Sequence, residues 1–274
     1  MRLAPETRAA IAAARAAGRI LERDLGRVRG VRLKGPKDPV TATDAAAERC
    51  IRRFLGRRFP DVGFLGEEGT AGRGVAGPGG RWIVDPLDGT IAFIAGLPSF
   101  GVSIAYERRG RVEAGVMLFP RLRELYVAER GRGAWLNGRR IHVSRAAALG
   151  GCVVSLWHND TVWRNPVLRE RIARIGRQVR SVAVFGACFS LAYVAAGRLD
   201  GYWEASAHAW DVAAGALLVQ EAGGRVTDGA GRPFDVDEPS IIASNGGIHD
   251  HLVALLNGRR LPRRSRGGGG RPGG

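Results

Sequence analysis

The stretch WIVDPLDGTIAF carries two carboxylates, Asp85 and Asp88, three positions apart and just before Gly89 and Thr90. An apolar strand delivering Asp85, a turn opened by Pro86 and a helix starting near Thr90 would let both acids face one point. Hard divalent cations such as Mg²⁺ take oxygen ligands in octahedral geometry, so these carboxylates and the turn carbonyl of Leu87 form a candidate cation site. Unpaired N–H groups at the helix start would suit a phosphate oxygen beside the metal. The same residues would also make an ordinary capped turn.

Other acids change the weight of that reading. Glu67 and Glu68 end the run VGFLGEE, where adjacent carboxylates repel and either a cation or solvent relieves them. Asp44 in DPVTATD and Asp211 at the start of WDVAAGALLVQ occupy positions where simple helix capping is common. The three cysteines, Cys50, Cys152 and Cys188, are odd in number and have no CxxC spacing. They indicate neither a disulfide framework nor a zinc site and are expected to be buried thiols.

The elements that must position these groups differ between the two halves. An Ala-rich helix is expected from Ala4 to about Leu25, with Ile11, Ala14, Gly18 and Leu21 on one face, and a second from Thr43 and Asp44 to just before Pro60. The runs at 62–66, 81–85, 100–106, 112–118 and 124–128 have strand length and suggest a mixed or antiparallel sheet. Beyond residue 150 strands and helices alternate, with helices expected near 166–177, 191–196 and 211–222. This divides the chain into an α+β part at 1–150 holding most candidate ligands, an α/β part at 151–257 with Asp211, and a tail at 258–274. The glycine-rich segment 70–81 is either a flexible lid or a variable loop.

Composition bounds the function classes. With 274 residues, 45% apolar and 25% charged, the chain is neither a stapled mini-protein nor wholly disordered. No apolar run approaches the roughly 18 residues of a membrane span, and the N-terminal segment lacks a secretory apolar run, so cytoplasmic residence is expected. The formal charge of +16 raises nucleic-acid binding as a separate class. However, only Lys34 and Lys37 are lysines and arginine is spread over the whole chain. Six arginines fall in the Gly-rich tail, which is expected to be disordered and would be the part of a polyanion- or RNA-binding scaffold that meets phosphate.

The motifs DPVTATDAAAE, FLGEEG, WIVDPLDGT and AHAWDVAAGALLVQEAGG, in that order, resemble the inositol monophosphatase family from about residue 5 to residue 256. The resemblance implies a layered αβαβα sandwich of the inositol monophosphatase and fructose-1,6-bisphosphatase type, a homodimer, and a lithium-sensitive, Mg²⁺-dependent phosphomonoesterase. It further implies that Glu67, Asp85 and the Leu87 carbonyl hold one Mg²⁺, that Asp85, Asp88 and Asp211 hold a second, and that a weaker third lies near Glu67. Asp44 and Thr90 would then orient the attacking water, while the backbone at Gly89 and Thr90 receives the phosphate. Two metals about 3.5–4 Å apart can clamp the entering and leaving oxygens of a phosphate ester, which explains the concentration of acids.

The resemblance also bears on the substrate. Glu204, seven residues before Asp211, matches a carboxylate that accepts substrate hydroxyls and favours a small phosphorylated polyol or sugar. His208 is expected to be a partly buried structural residue. DGTIAF places Ile91 and Ala92 where the family commonly has polar side chains. VFGACFSLAYVAAG is one residue shorter than the related pattern, with Ser190 at a frequently acidic position, which alters the expected substrate contacts of Gly186 and Ala187. Inositol 1-phosphate is the first choice of substrate, with histidinol phosphate and fructose 1,6-bisphosphate as alternatives within the same superfamily.

Overall fold

A computed structural model describes residues 3–35, 38–69, 76–157, 160–238 and 240–259. Its centre is a seven-stranded sheet in the order Gly63–Gly66, Arg81–Asp88, Gly101–Arg108, Arg111–Phe119, Glu124–Glu129, Gly133–Leu136 and Arg139–Arg140. The first pair is parallel and every later pair antiparallel. Side chains alternate across a strand, and this sheet is covered on both faces. Trp82 and Val84 pack with the helices Pro5–Asp24 and Ala42–Arg58, whereas Ile83 faces the opposite core with Ala187–Ala195 and Ala209–Glu221.

The second sheet runs Ser181–Ala183, Val153–Leu156, Gly201–Glu204, Ile241–Ser244, Arg225–Thr227. The same alternation sorts its residues: Tyr202 enters the central core, while Trp203 joins Ile175, Leu252 and Val253 from the helices Pro166–Gly176 and His249–Leu256. Helices therefore lie outside each sheet and between the two, giving the expected αβαβα order. Trp82, Trp203, Tyr126 and Phe93 are fully buried, and burial of a large apolar side chain contributes about 1.5–3 kcal/mol.

The Ala-rich first helix works by its small side chains. Ala10, Ala13, Ala14, Ala17 and Leu21 are almost wholly buried and let its backbone lie close to the second helix and the sheet. Across the molecule, both Glu221 oxygens accept backbone N–H groups, from Gly131 and Gly133, each at 2.7 Å. That bond pair joins the C-terminal end of Ala209–Glu221 to the turn before the sixth strand of the larger sheet.

Several elements depart from expectation. The second helix is capped at Thr41, with Asp44 at its third position, and the helix expected at 191–196 already begins at Ala187. The short strands at Gly133–Leu136 and Ile241–Ser244 pair into the sheets although their sequences are too brief to announce themselves. Of the glycine-rich stretch, residues 70–75 lie outside the described residues, while Gly77 and Gly80 bridge one another. Residues 260–274, most of the basic tail, are also outside them. No helix among the described residues is long and apolar enough to cross a membrane.

Candidate active site

A three-residue step in a regular strand would place Asp85 and Asp88 on opposite faces. The chain solves this without leaving the sheet. The Arg81–Asp88 strand continues through Pro86, and its register against Gly101–Arg108 shifts between Asp85 and Asp88. Such an irregularity re-aims a side chain, so a bulged strand replaces the expected turn. One oxygen of each carboxylate then lies within 4.8 Å of the other and of Cys188 Sγ, all three residues being buried.

Gly89 ends this strand in the left-handed region, at φ 81°, and starts the short helix Thr90–Ile94. A side chain here would be strained, and its Cβ would meet the Ser99 carbonyl oxygen at 2.6 Å. The turn brings Thr90 Oγ to 3.0 Å from Asp44 Oδ1 and 3.1 Å from the Leu87 carbonyl oxygen, to either of which it can donate. Asp44 is fixed from its other oxygen, which accepts the Thr41 N–H at 2.9 Å and the Thr41 hydroxyl. This is a capping box, which leaves the opposite oxygen of Asp44 facing Thr90.

Two further helix starts converge here. Asp211, at the third position of Ala209–Glu221, accepts the His208 N–H at 2.9 Å. Gly186 caps Ala187–Ala195, and a Cβ on it would stand 3.2 Å from both oxygens of Asp88. That approach places Asp88 at the positive end of the helix. Ala187 is buried directly behind Gly186.

Glu67 follows the parallel edge strand Gly63–Gly66 and is held by Lys34, whose Nζ lies 2.7 Å from Glu67 Oε1 and 2.8 Å from Glu68 Oε1. The loop is tied from behind by Glu48, which accepts the Glu68 N–H at 2.8 Å. Glu204, buried at the end of Gly201–Glu204, accepts the Tyr202 hydroxyl. His208 is exposed and stacks on Trp210, correcting the expectation of partial burial. Ile91 is also exposed, and Ala92 is half-buried, so neither supplies a polar group.

Electrostatics set this region apart. Burial pushes Asp85 well above the usual carboxylate range, reinforced by Glu67, Asp88 and Asp211. Burial raises Asp88 to about 8, with Asp211 and then Glu67 adding to it. Glu67 is also raised by burial, against the pull of Lys34, and burial raises Asp211 to about 6 despite the His208 N–H. Burial lifts Glu68 to about 7 and Glu204 to about 8. Burial alone would lower Lys34, but its bonds to Glu67 and Glu68 outweigh that and hold it above the usual lysine range.

A divalent cation fits this donor set. Asp88 Oδ2 is buried and has no hydrogen-bond partner among the described residues. When ionised, Glu67, Asp85, Asp88 and Asp211 against the Lys34 ammonium leave three negative charges in excess. An uncompensated cluster of that size is costly in a buried site. Sequence reasoning did not single out Lys34, Thr41 or the position of Cys188. Lys34 could have been noticed as one of two lysines among 42 basic residues; the other two depend on contacts made only after folding.

A layered fold of this kind, with buried acids converging beside the start of Thr90–Ile94, is the architecture of a metal-dependent phosphatase family. The chain belongs to the inositol monophosphatase family, whose profile matches residues 2–260. It is 44% identical over 245 residues to an inositol-1-monophosphatase of Rhizobium meliloti, covering 88% of this chain and 90% of that protein. A Thermotoga maritima protein named fructose-1,6-bisphosphatase/inositol-1-monophosphatase is 40% identical, with 89% and 92% covered. Among solved structures, the extragenic suppressor protein suhB from Bartonella henselae superimposes with a TM-score of 0.85 at 41% identity, covering 91% of this chain and 97% of that one.

Proposed function

We propose that this protein is a Mg²⁺-dependent phosphomonoesterase that hydrolyses inositol 1-phosphate to inositol and inorganic phosphate. The observation that carries the reading is the buried acidic cluster with an unpartnered Asp88 oxygen, next to the Thr90–Asp44 hydrogen bond. Glu67, Asp85, the Leu87 carbonyl, Asp88 and Asp211 would hold the metal, two ions and a weaker third being the expected number. Bound there, Mg²⁺ supplies charge neutralisation for the phosphate dianion and acidifies water.

The chain's own groups then handle position and protons. Thr90, by donating to Asp44, keeps its oxygen lone pairs available to accept a hydrogen bond from the attacking water. As water oxygen bonds to phosphorus and the ester P–O bond breaks, one water proton is drawn toward the Thr90–Asp44 pair and the departing alkoxide is protonated from solvent. The backbone N–H groups of Gly89 and Thr90, ahead of any helical carbonyl, would receive the phosphate oxygens. Glu204 and the Gly186–Ala187 segment would meet the polyol, a carboxylate acceptor favouring a ligand rich in hydroxyl donors.

The double name of the Thermotoga relative makes fructose 1,6-bisphosphate the second substrate reading, followed by histidinol phosphate. Cytoplasmic residence, a homodimer and lithium sensitivity belong to the same proposal. The test is phosphate release from purified protein across those three substrates. Activity on inositol 1-phosphate should vanish with a chelator, return with Mg²⁺ and remain the highest of the three. Chelator-resistant release would refute the metal requirement, and a preference for another ester would refute the substrate.

A further inference from the structure

We infer that Cys188, together with Asp85 and Asp88, gives this chain a mixed oxygen–sulfur seat for a thiophilic divalent cation such as Co²⁺ or Zn²⁺, in competition with the Mg²⁺ of the proposed reaction. The inference rests on the reading of Asp85 and Asp88 as cation ligands and adds a chemistry that oxygen ligands alone do not provide.

Three observations carry it. Cys188 Sγ and one oxygen of each carboxylate lie within 4.8 Å of one another, on residues with 1%, 2% and 8% of their surface exposed. Within the same carboxylate pair, Asp88 Oδ2 is buried without a hydrogen-bond partner among the described residues. The thiol donates to the Asp211 carbonyl oxygen at 3.3 Å and also meets the Ser103 side chain, so its sulfur already lies among the polar groups of the site. Cys188 occupies the second position of Ala187–Ala195, where burial and the neighbouring Asp88, Asp85 and Asp211 hold its thiol well above the usual range, so the proton leaves only in exchange for a bound cation.

Bond lengths allow the seat to close. Metal–sulfur and metal–oxygen bonds of about 2.3 Å and 2.0–2.2 Å would put ligand atoms of a tetrahedral ion roughly 3.3–3.7 Å apart. The present separations, at most 4.8 Å, need to shrink by up to about 1.5 Å, which side-chain rotations can supply. Mg²⁺ gains little from sulfur, whereas Co²⁺ and Zn²⁺ accept it readily. On binding, the S–H bond is replaced by a metal–sulfur bond and the proton passes to solvent. The other thiols are placed differently: Cys50 sits on Ala42–Arg58, and Cys152 donates to the Ala148 carbonyl oxygen.

The test is a Co²⁺ titration of metal-free protein, read by the near-ultraviolet thiolate-to-cobalt charge-transfer band. The expected result is one band per chain, retained in the Cys50→Ser/Cys152→Ser variant, lost in Cys188→Ser and displaced by excess Mg²⁺. Absence of the band from the double variant with native circular dichroism overturns the inference, as does its persistence in Cys188→Ser or its resistance to Mg²⁺. Should Cys188→Ser fail to fold, the double variant decides alone, since Cys188 is then the sole thiol. Mg²⁺-dependent phosphate release by the unmodified protein separates the two readings. Release without a band removes the sulfur seat and leaves the phosphatase, while a band without release does the reverse.

Discussion

Replacing Asp88 by Asn should stabilise the metal-free protein while abolishing its activity. Burial and the neighbouring acids raise Asp88 from 3.8 to about 8 in the folded chain. At pH 7 it is then mostly protonated when folded and ionised when unfolded. Folding takes up a proton, so stability falls as pH rises from about 4 to about 8 and the whole penalty is present above that window. Each pH interval costs about 1.4 kcal/mol, which sets a ceiling of about 4 kcal/mol at pH 7.

The neighbouring acids share that penalty, so Asp88→Asn should recover about 2–4 kcal/mol, falling to about 1.6 kcal/mol or less at pH 5. For a chain of this size such a gain raises Tm by about 5–10 °C. Thermal unfolding with chelator at pH 5 and pH 8 measures both the gain and its pH dependence. Mg²⁺ should narrow the gap by stabilising the unsubstituted protein alone. A variant that melts at or below the unsubstituted protein at pH 8 would show that burying an ionised Asp88 beside other acids is not the dominant energy of the site.

Three further expectations follow from individual contacts. Thr90→Val removes the hydroxyl bonded to Asp44 and should lower kcat by about 10²-fold at saturating Mg²⁺, the size of an acid–base contribution; an unchanged kcat would remove Thr90 from the proton path. Lys34→Met eliminates the ammonium that occupies Glu67 and Glu68, so the Mg²⁺ concentration giving half-maximal phosphate release should drop several-fold, and a rise would mean that Lys34 assists the metal. Glu204→Gln should raise KM for inositol 1-phosphate by about tenfold while leaving a hydroxyl-free aryl phosphate unaffected, with equal losses on both pointing to a packing defect.

The acids of the site were legible because each lies in a short motif with local grammar. Asp85 and Asp88 flank a Pro-Leu pair after an apolar run, and Asp44 and Asp211 sit in the first turn of helices rich in apolar residues. Their meeting was legible only through the order of four motifs, since nothing within any one of them specifies the others. The register shift between Asp85 and Asp88 escaped because a bulge is decided by pairing with Gly101–Arg108, and Asp-Pro-Leu-Asp reads locally as a turn. Cys188 escaped for a different reason. Its spacing to other cysteines was informative, but the carboxylates beside it are about a hundred residues away in sequence.

The bonds from Glu221 to Gly131 and Gly133 hold one end of a thirteen-residue helix whose other end carries Asp211. A rod anchored at its far end cannot slide or turn freely, so the axial position of Asp211 is set roughly 15 Å from the chemistry, at about 1.5 Å per residue. Loosening that remote anchor would blur the seat of one carboxylate without touching it. Distant substitutions on the rim of the larger sheet would then register first as a weakened grip on the cation.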